Sequence, residues 1–226
     1  MSPSPARIGR IKALLFVVAL LPLLRLVLFG ATGRLGVNPI EFVTRSTGTW
    51  TLVMLLLTLC ITPLRRLCGW SWLVRLRRML GLFTFFHACL HFTTYIWLDR
   101  FFDWHGIVKD VYKRPFITVG FSAFVLLLPL ALTSTDAMMR RLKRNWGRLH
   151  QLVYPIALLA VTHYWWLVKK DITQPAIYAA VFALLLGLRL WWKLRAATQG
   201  RNAGNSSRSP IEFSQVGDQG HRSPRA

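Results

Sequence analysis

Apolar residues are concentrated along this chain in six blocks, separated by short polar segments that are rich in Lys and Arg. A helix that crosses a bilayer needs roughly 20 mostly apolar residues, whereas a soluble helix alternates its faces with a period of 3.6. The pattern therefore predicts an all-α membrane protein. We expect a six-transmembrane-helix bundle with spans at 11–29, 49–67, 79–98, 116–133, 149–167 and 175–193.

The basic residues predict the orientation of this bundle. If the N-terminus is cytoplasmic, the cytoplasmic segments carry 19 of the 29 Lys and Arg and the opposite face carries 8, with Arg25 and Arg189 inside spans. Cytoplasmic loops are the more basic ones, so both termini are predicted to be cytoplasmic. The formal charge of +21 lies in these loop clusters and favours a lipid bilayer over a nucleic acid as partner.

Three regions follow from this pattern. Residues 1–10 form a cytoplasmic N-terminus and residues 11–195 form the transmembrane domain. Residues 196–226 are rich in Arg, Ser, Gly, Asn and Pro, so they are predicted to be a disordered basic tail in the cytoplasm.

Two histidines, His91 and His163, lie inside apolar spans. They follow Arg78 and Arg148, at the inner ends of their spans, by 13 and 15 residues, so both are about 20 Å from the inner face. An ionisable side chain in hydrocarbon indicates a functional site. Two imidazoles at one depth on different helices predict axial ligation of a haem iron, which suits electron transfer.

Other polar residues carry weaker hypotheses. His87 precedes His91 by one helical turn and could ligate a second haem or make an interhelical hydrogen bond. His150, at the inner end of its span, could bind a second haem, contact a flavin or quinone, or simply occupy the interface. Arg45 and Arg114 lie at the level where haem propionates would emerge, although arginines at a headgroup surface need no such role.

Several long strings resemble one family: NPIEFVTRSTGTWTL, RLRRMLGLFTFFHACLHFTTYIWLD, KRPFITVGF and WGRLHQLVYPIALLAVTHYWWLVK. They are similar to MsrQ (YedZ) proteins, within the ferric-reductase-like transmembrane group, over residues 10–193. The resemblance implies a haem b, an associated FMN and a place in the bacterial inner membrane. The histidines that the family implicates correspond to His91, His150 and His163.

The resemblance also implies a function. Such a subunit takes electrons from the quinol pool or a cytosolic flavin reductase and delivers them to MsrP, a periplasmic molybdopterin subunit that reduces methionine sulfoxide and so repairs oxidised proteins. It completes no substrate turnover alone. In the related NADPH oxidases a second haem lies between further histidines, and this chain departs from that pattern, with Arg78 or Arg77 where the upstream partner of His91 would lie. On electrostatic grounds, the candidate FMN phosphate contacts are Arg77, Arg78 and Arg144.

Two other functions remain open at this stage. One is a ferric-reductase-type cytochrome b with another acceptor. The other is a non-redox transporter or structural membrane protein, whose histidines only pack or relay protons. Transporters usually place charges at the midplane and contain repeated helices, whereas this sequence has few such charges and no evident repeat.

Overall fold

The computed structural model describes residues 3–168 and 171–206, and every regular element in that part of the chain is helical. A 3₁₀ turn precedes α3 (Ser71–Leu73) and another precedes α8 (His150–Leu152), while a π-helical turn (Tyr95–Asp99) continues α3. The helices are α1 (Pro5–Ala31), α2 (Pro39–Cys68), α3 (Val74–Thr94), α4 (Trp104–Lys113), α5 (Pro115–Leu132), α6 (Asp136–Leu142), α7 (Arg144–Leu149), α8 (Val153–Leu167) and α9 (Thr173–Ser206).

Local signals in the sequence set where the helices begin and end. The side chain of Asn38 accepts a hydrogen bond from the backbone N–H of Glu41 (3.2 Å), and Pro39 follows at the first helical position of α2. The same helix ends at Gly69, whose φ of 71° is left-handed, a conformation that glycine adopts without steric cost. Asp103 caps α4 through the N–H of Gly106 (3.0 Å).

Four helices form the centre of the bundle. Helix α2 packs along α3 and α5 packs along α8, while contacts between α2 and α8 and between α3 and α5 join the two pairs. Their shared core is aliphatic, and its buried members on these four helices are Leu52, Leu55, Leu56, Leu59, Ala88, Ala123, Leu127, Leu130, Val153, Ile156, Ala157 and Val161. This core lies around the segments of α3 and α8 that carry the predicted haem ligands.

Helix α1 and the part of α9 up to residue 187 lie against this centre. Helix α1 buries Ala19 in a second core with residues of α2 and α3, and Phe16 meets Phe83 edge to face with ring centroids 5.1 Å apart. Helix α9 contributes Phe182 and Leu185 to the first core. Residues 188–206 belong to a separate compact unit, in which the Arg195 guanidinium lies 3.9 Å from the centroid of the Trp191 ring.

Among the described residues, five helical segments are long and apolar enough to cross a membrane: Pro5–Ala31, Pro39–Cys68, Ser71–Asp99, Pro115–Leu132 and Thr173–Gln199. These coincide with five predicted spans. The sixth prediction, 149–167, falls on α8, which has 15 residues and is about 22 Å long, short of a hydrocarbon core of about 30 Å. The count of six spans and the cytoplasmic termini therefore stay predictions.

The last helix is longer than its apolar block. Helix α9 continues to Ser206, past the predicted end of the transmembrane domain at 195. The remainder of the predicted tail, 207–226, lies outside the described residues.

Candidate functional site

The first half of the site is His91, which α3 directs towards α2. Its Nδ1–H donates to the carbonyl oxygen of Thr44 (3.0 Å), and the hydroxyl of Thr47 lies 3.4 Å from the same nitrogen. The ring rests against Gly48, because a Cβ at that position would lie 3.0 Å from Cε1. Since Nδ1 is the donor, Nε2 carries the free lone pair, as a metal ligand requires.

The second half is His163, which α8 directs towards α5 in the same manner. Its Nδ1–H donates to the carbonyl oxygen of Phe116 (2.7 Å). The ring lies even closer to a glycine, since a Cβ on Gly120 would be 2.7 Å from Nδ1 and 2.8 Å from Cε1. From the sequence, Gly81 and Gly120 could let a flat ring or a neighbouring helix approach closely, although helix packing alone explains them as well, and Gly48 was not singled out.

The structure brings His91 and His163 together. Their ring centroids lie 6.3 Å apart and their planes make an angle of 67°. With a metal–imidazole bond of about 2.0 Å and about 1.2 Å from nitrogen to ring centre, two imidazoles on one iron place their centroids about 6.4 Å apart. The observed separation therefore fits two axial ligands on a single iron.

The two halves of the site repeat along the chain. Thr44, Gly48 and His91 become Phe116, Gly120 and His163 when 72 is added to each number, and the carbonyl, the glycine and the imidazole keep the same roles. The pair α2–α3 is thus related to the pair α5–α8. The sequence has no evident repeat because paired residues such as Thr44 and Phe116 differ in type, whereas the structure gives these positions the same roles.

The donor set suits an iron that already has a macrocycle. Among the described residues, no group of three or more His, Cys, Asp or Glu side chains could hold a bare metal ion. Two imidazoles with free Nε2 atoms leave four further positions to a porphyrin. Haem therefore fits this pair, whereas a protein-coordinated zinc or iron ion does not.

His87 points away from this pair and towards α1. It is 2% exposed, and its Nε2–H donates to the carbonyl oxygen of Ala19 (3.0 Å). Ala19 precedes Pro22, whose missing N–H weakens the backbone bonding of that turn. The contact is the interhelical hydrogen bond considered above, and it directs Nε2 at the protein backbone.

His150 lies at the opposite end of α8, and protein groups meet both of its nitrogens. Nδ1–H donates to the carbonyl oxygen of Trp146 (3.1 Å), Nε2 lies 3.4 Å from the hydroxyl of Ser134, and the ring stacks on the Trp146 indole with centroids 3.9 Å apart. The 72-residue repeat pairs His150 with Arg78, which forms an ion pair with Asp136. No second imidazole therefore occupies the equivalent place on α3.

Arg45 lines a cavity near the imidazole pair. This cavity of about 820 Å³ lies between α1, α2, α8 and the start of α9, and includes Arg25, Thr49 and Tyr164. Thr49 follows Gly48 and Tyr164 follows His163, so the cavity lies at the level of the imidazole pair. Arg45 is paired with Glu41 (2.7 Å).

Arg25 is a site residue that sequence analysis missed. Its guanidinium lies over the rings of Phe29 (5.0 Å) and Phe42 (5.9 Å), and no carboxylate lies within ion-pair distance of it among the described residues. It stands 13 residues beyond Lys12, about 20 Å along α1, which is the depth expected for His91. The equal depth of Arg25 and His91 was the signal in the sequence that could have identified Arg25.

The carboxylate that shares the cavity with these arginines is Asp171. Hydrogen bonds from the Thr173 side chain and backbone hold the pKa of Asp171 below its ordinary value. It is therefore ionised at neutral pH. The cavity thus carries two cationic side chains and one anionic side chain.

The remaining predicted arginines lie elsewhere. Arg114 pairs with Asp110 (3.2 Å) at the junction of α4 and α5, away from the residues that line the cavity. Arg78 is engaged by Asp136, while Arg77 is half-buried near the start of α3 and Arg144 is exposed at the start of α7. These three lie at the end of the bundle that also holds His150.

Comparison with known proteins identifies the family. A sequence model of the family described as "Ferric reductase like transmembrane component" matches residues 47–161, which include His91 and end two residues before His163. No solved structure matches the chain.

Curated relatives cover nearly the whole chain. The protein-methionine-sulfoxide reductase heme-binding subunit MsrQ of Herminiimonas arsenicoxydans is 58% identical over 207 residues, which is 90% of this chain and 93% of the relative. The MsrQ proteins of Ralstonia nicotianae and Bordetella pertussis are 57% and 56% identical, covering 89% and 88% of this chain and 94% and 98% of their own lengths. The chain therefore belongs to the MsrQ family and carries a ferric reductase like transmembrane component.

Proposed function

We propose that this protein is the haem b-containing membrane electron-transfer subunit of a periplasmic methionine-sulfoxide reductase system. Its relatives are named heme-binding subunits of protein-methionine-sulfoxide reductase, which supports a redox role in a membrane. Electrons would enter from the quinone pool or a cytosolic flavin reductase and leave to the molybdopterin subunit MsrP. The protein would complete no substrate turnover alone.

The observation that carries this proposal is the facing pair of imidazoles. His91 and His163 come from helices of the two repeated halves, and the 6.3 Å between their centroids suits one iron between two Nε2 atoms. A transporter needs no such pairing. In a relay of protons, the two Nδ1–H groups would not both be committed to backbone carbonyls.

The chain's own residues would orient and protect the group. The carbonyls of Thr44 and Phe116 hold the tautomer in which Nε2 is unprotonated, and Gly48 and Gly120 let each ring seat against a helix backbone. The aliphatic core around these helices keeps water out. When bound, haem would supply reversible one-electron exchange, and His91 and His163 would together leave no position for oxygen.

The cavity beside the pair suits the haem propionates. Arg45 and Arg25 both line it at the depth of the imidazoles, and an arginine is a natural partner for a carboxylate. An isolated cation at that depth is costly, so an anionic group from a ligand would stabilise Arg25. The proposal for Arg114 is weaker, because its charge is matched by Asp110.

FMN is the second proposed cofactor, at the end of the bundle near His150. Of the three candidate phosphate contacts, Arg78 already has a carboxylate partner, which leaves Arg77 and Arg144 as the stronger candidates. We expect a double Arg77→Gln, Arg144→Gln variant to retain less FMN per chain than an Arg140→Gln control. Equal retention would remove the phosphate site from this proposal.

The orientation completes the proposal. We place six helices, including the short α8 with its preceding 3₁₀ turn, across the bacterial inner membrane with both termini in the cytoplasm. The 19-to-8 distribution of basic residues supports this orientation. The imidazole pair would then lie in the outer half of the membrane, and His150 near the cytoplasmic face.

Single substitutions test the ligand assignment. His91→Ala and His163→Ala should each reduce haem per chain to background, because one imidazole cannot supply both axial bonds. His105→Ala, a control on the exposed surface of α4, should retain haem at the wild-type level. A normal reduced spectrum in either ligand variant would overturn the assignment.

A ferric reductase is the second candidate, and the family match favours it. The two candidates differ in the final acceptor. Membranes that contain the protein but lack MsrP should fail to reduce methionine sulfoxide if the first proposal is right. If the same membranes reduce chelated Fe(III) as fast as membranes that contain MsrP, the second candidate would be favoured.

A further inference from the structure

Helix α4 (Trp104–Lys113) is held at the membrane surface by the chain on either side of it. The preceding candidate span ends at Asp99 and the next begins at Pro115, so only residues 100–103 and 114 separate α4 from two spans. The helix itself is about 15 Å long. With such short connections at both ends, α4 lies across the end of the bundle and cannot extend away from it.

A buried carboxylate fixes which side of α4 faces the bundle. Asp110 is 7% exposed, forms ion pairs with Arg100 and Arg114, and accepts a hydrogen bond from the hydroxyl of Tyr95 (2.9 Å). Ile107, one turn earlier, is also 7% exposed. These contacts come from the end of α3 and the start of α5, so the rotation of α4 about its axis is determined.

With that rotation fixed, a second side of α4 is apolar and uncovered. Trp104, Val108 and Tyr112 recur every four residues and are 62%, 70% and 87% exposed. Residues spaced in this way form one stripe along a helix. Next to this stripe lie Lys109 and Lys113, both exposed. The helix thus has a bundle-facing side, an aromatic stripe and a basic side.

The connection before α4 adds two more exposed rings. Phe101 and Phe102 have φ angles of 48° and 62° and are 75% and 52% exposed. Left-handed backbone is unfavourable for residues that carry a Cβ, and it is held here without burial of either ring in the protein. An apolar medium around the rings would supply the missing stabilisation.

We propose that α4 is an interfacial helix whose aromatic stripe is inserted into the lipid bilayer and whose lysines reach the phospholipid headgroups. Trp and Tyr favour the membrane interface, and a helix with one aromatic and one basic side lies in the interfacial plane. The covering partner is lipid because both ends of α4 are tethered to spans. In the orientation proposed above this is the outer leaflet.

The experiment uses the full chain in nanodiscs, with an environment-sensitive fluorophore on one introduced cysteine. Val108→Cys probes the stripe and Lys109→Cys is the matched control on the adjacent residue, both in a background without Cys60, Cys68 and Cys89. Brominated phospholipids should quench the label at 108 several-fold more than the label at 109. Equal quenching at the two positions would overturn the proposal.

A second pair of cysteine variants controls for a local folding defect at position 108. Tyr112→Cys and Lys113→Cys repeat the comparison one turn later, and the same contrast is expected. A label at 108 or 112 that is shielded only after a soluble partner is added would assign the stripe to a protein interface and also overturn the proposal. The contrast between the two adjacent labels can be measured in protein with or without haem, so this test is separate from that of the proposed function.

Discussion

Replacing Gly120 by Ala adds one methyl group against the imidazole that we assign to the iron. The new Cβ would lie 2.7 Å from Nδ1 of His163, 2.8 Å from Cε1 and 3.0 Å from Cγ. All three atoms belong to one rigid ring, so the ring must move as a whole. The movement breaks or lengthens the 2.7 Å hydrogen bond to the carbonyl of Phe116.

The size of the effect follows from the distances. Non-bonded carbon contacts are optimal near about 3.5 Å, so the ring must move by about 0.8 Å. Metal–ligand bonds tolerate deviations of only about 0.2 Å, and loss of an orienting hydrogen bond alone lowers metal affinity about 10- to 100-fold. We therefore expect Gly120→Ala to weaken haem binding by at least about 10-fold, or about 1.4 kcal/mol.

Two other helical glycines provide a graded series. A Cβ at Gly48 would lie 3.0 Å from Cε1 of His91, so Gly48→Ala should reduce haem retention less. A Cβ at Gly81 would meet only Cγ2 of Thr58, at 3.9 Å, so Gly81→Ala should retain all the haem and gain about 0.5–1 kcal/mol of helix stability.

The assay for this series is haem per chain after purification in detergent, together with the reduced absorption spectrum. The expected order of haem content is Gly81→Ala, then Gly48→Ala, then Gly120→Ala. Full haem occupancy with an unchanged low-spin spectrum in Gly120→Ala would refute the ligand geometry. Loss of haem in Gly81→Ala would show that the assay reports general damage to the bundle.

Three further substitutions test the surroundings of the site. Asp110→Asn leaves Arg100 with only its 3.8 Å contact to Asp99 and should destabilise the protein by about 1–3 kcal/mol, seen as a lower Tm. An unchanged Tm would contradict this. Arg25→Gln removes a positive charge near the haem and should make the haem midpoint potential more negative by on the order of tens of millivolts, while the control Arg34→Gln should not change it. Equal potentials in Arg25→Gln and the wild type would remove Arg25 from the haem environment. His87→Leu removes one hydrogen bond to α1 and should leave haem per chain unchanged, whereas loss of haem would indicate a direct role.

The sequence predicts the bundle well where hydrophobic blocks are long. Five of its spans coincide with helices that are long and apolar enough to cross a membrane, because burial in lipid demands such blocks whatever the tertiary contacts. The weakest case is α8, whose apolar block includes a 3₁₀ turn at His150–Leu152 that block length cannot reveal. A hydropathy pattern does not reveal α4 either, because this helix has only ten residues and its apolar residues lie on one side.

The site could be predicted only in part. Depth counting places His91 and His163 at one level, but it does not show that their rings face each other, which depends on the rotation of α3 and α8. Nor does it distinguish His87, whose ring turns towards Ala19 although it lies one turn from His91. The carbonyl supports and Gly48 are set by contacts between helices, and local sequence carries no signal for them.

The most direct test is the absorption spectrum of the purified wild-type protein, oxidised and dithionite-reduced, with haem quantified per chain. We predict a low-spin b-type spectrum in both states and one haem per chain, held between His91 and His163. A colourless protein after expression with adequate haem supply would contradict the central claim, and so would a high-spin spectrum, which would show that one of the two imidazoles does not bind iron.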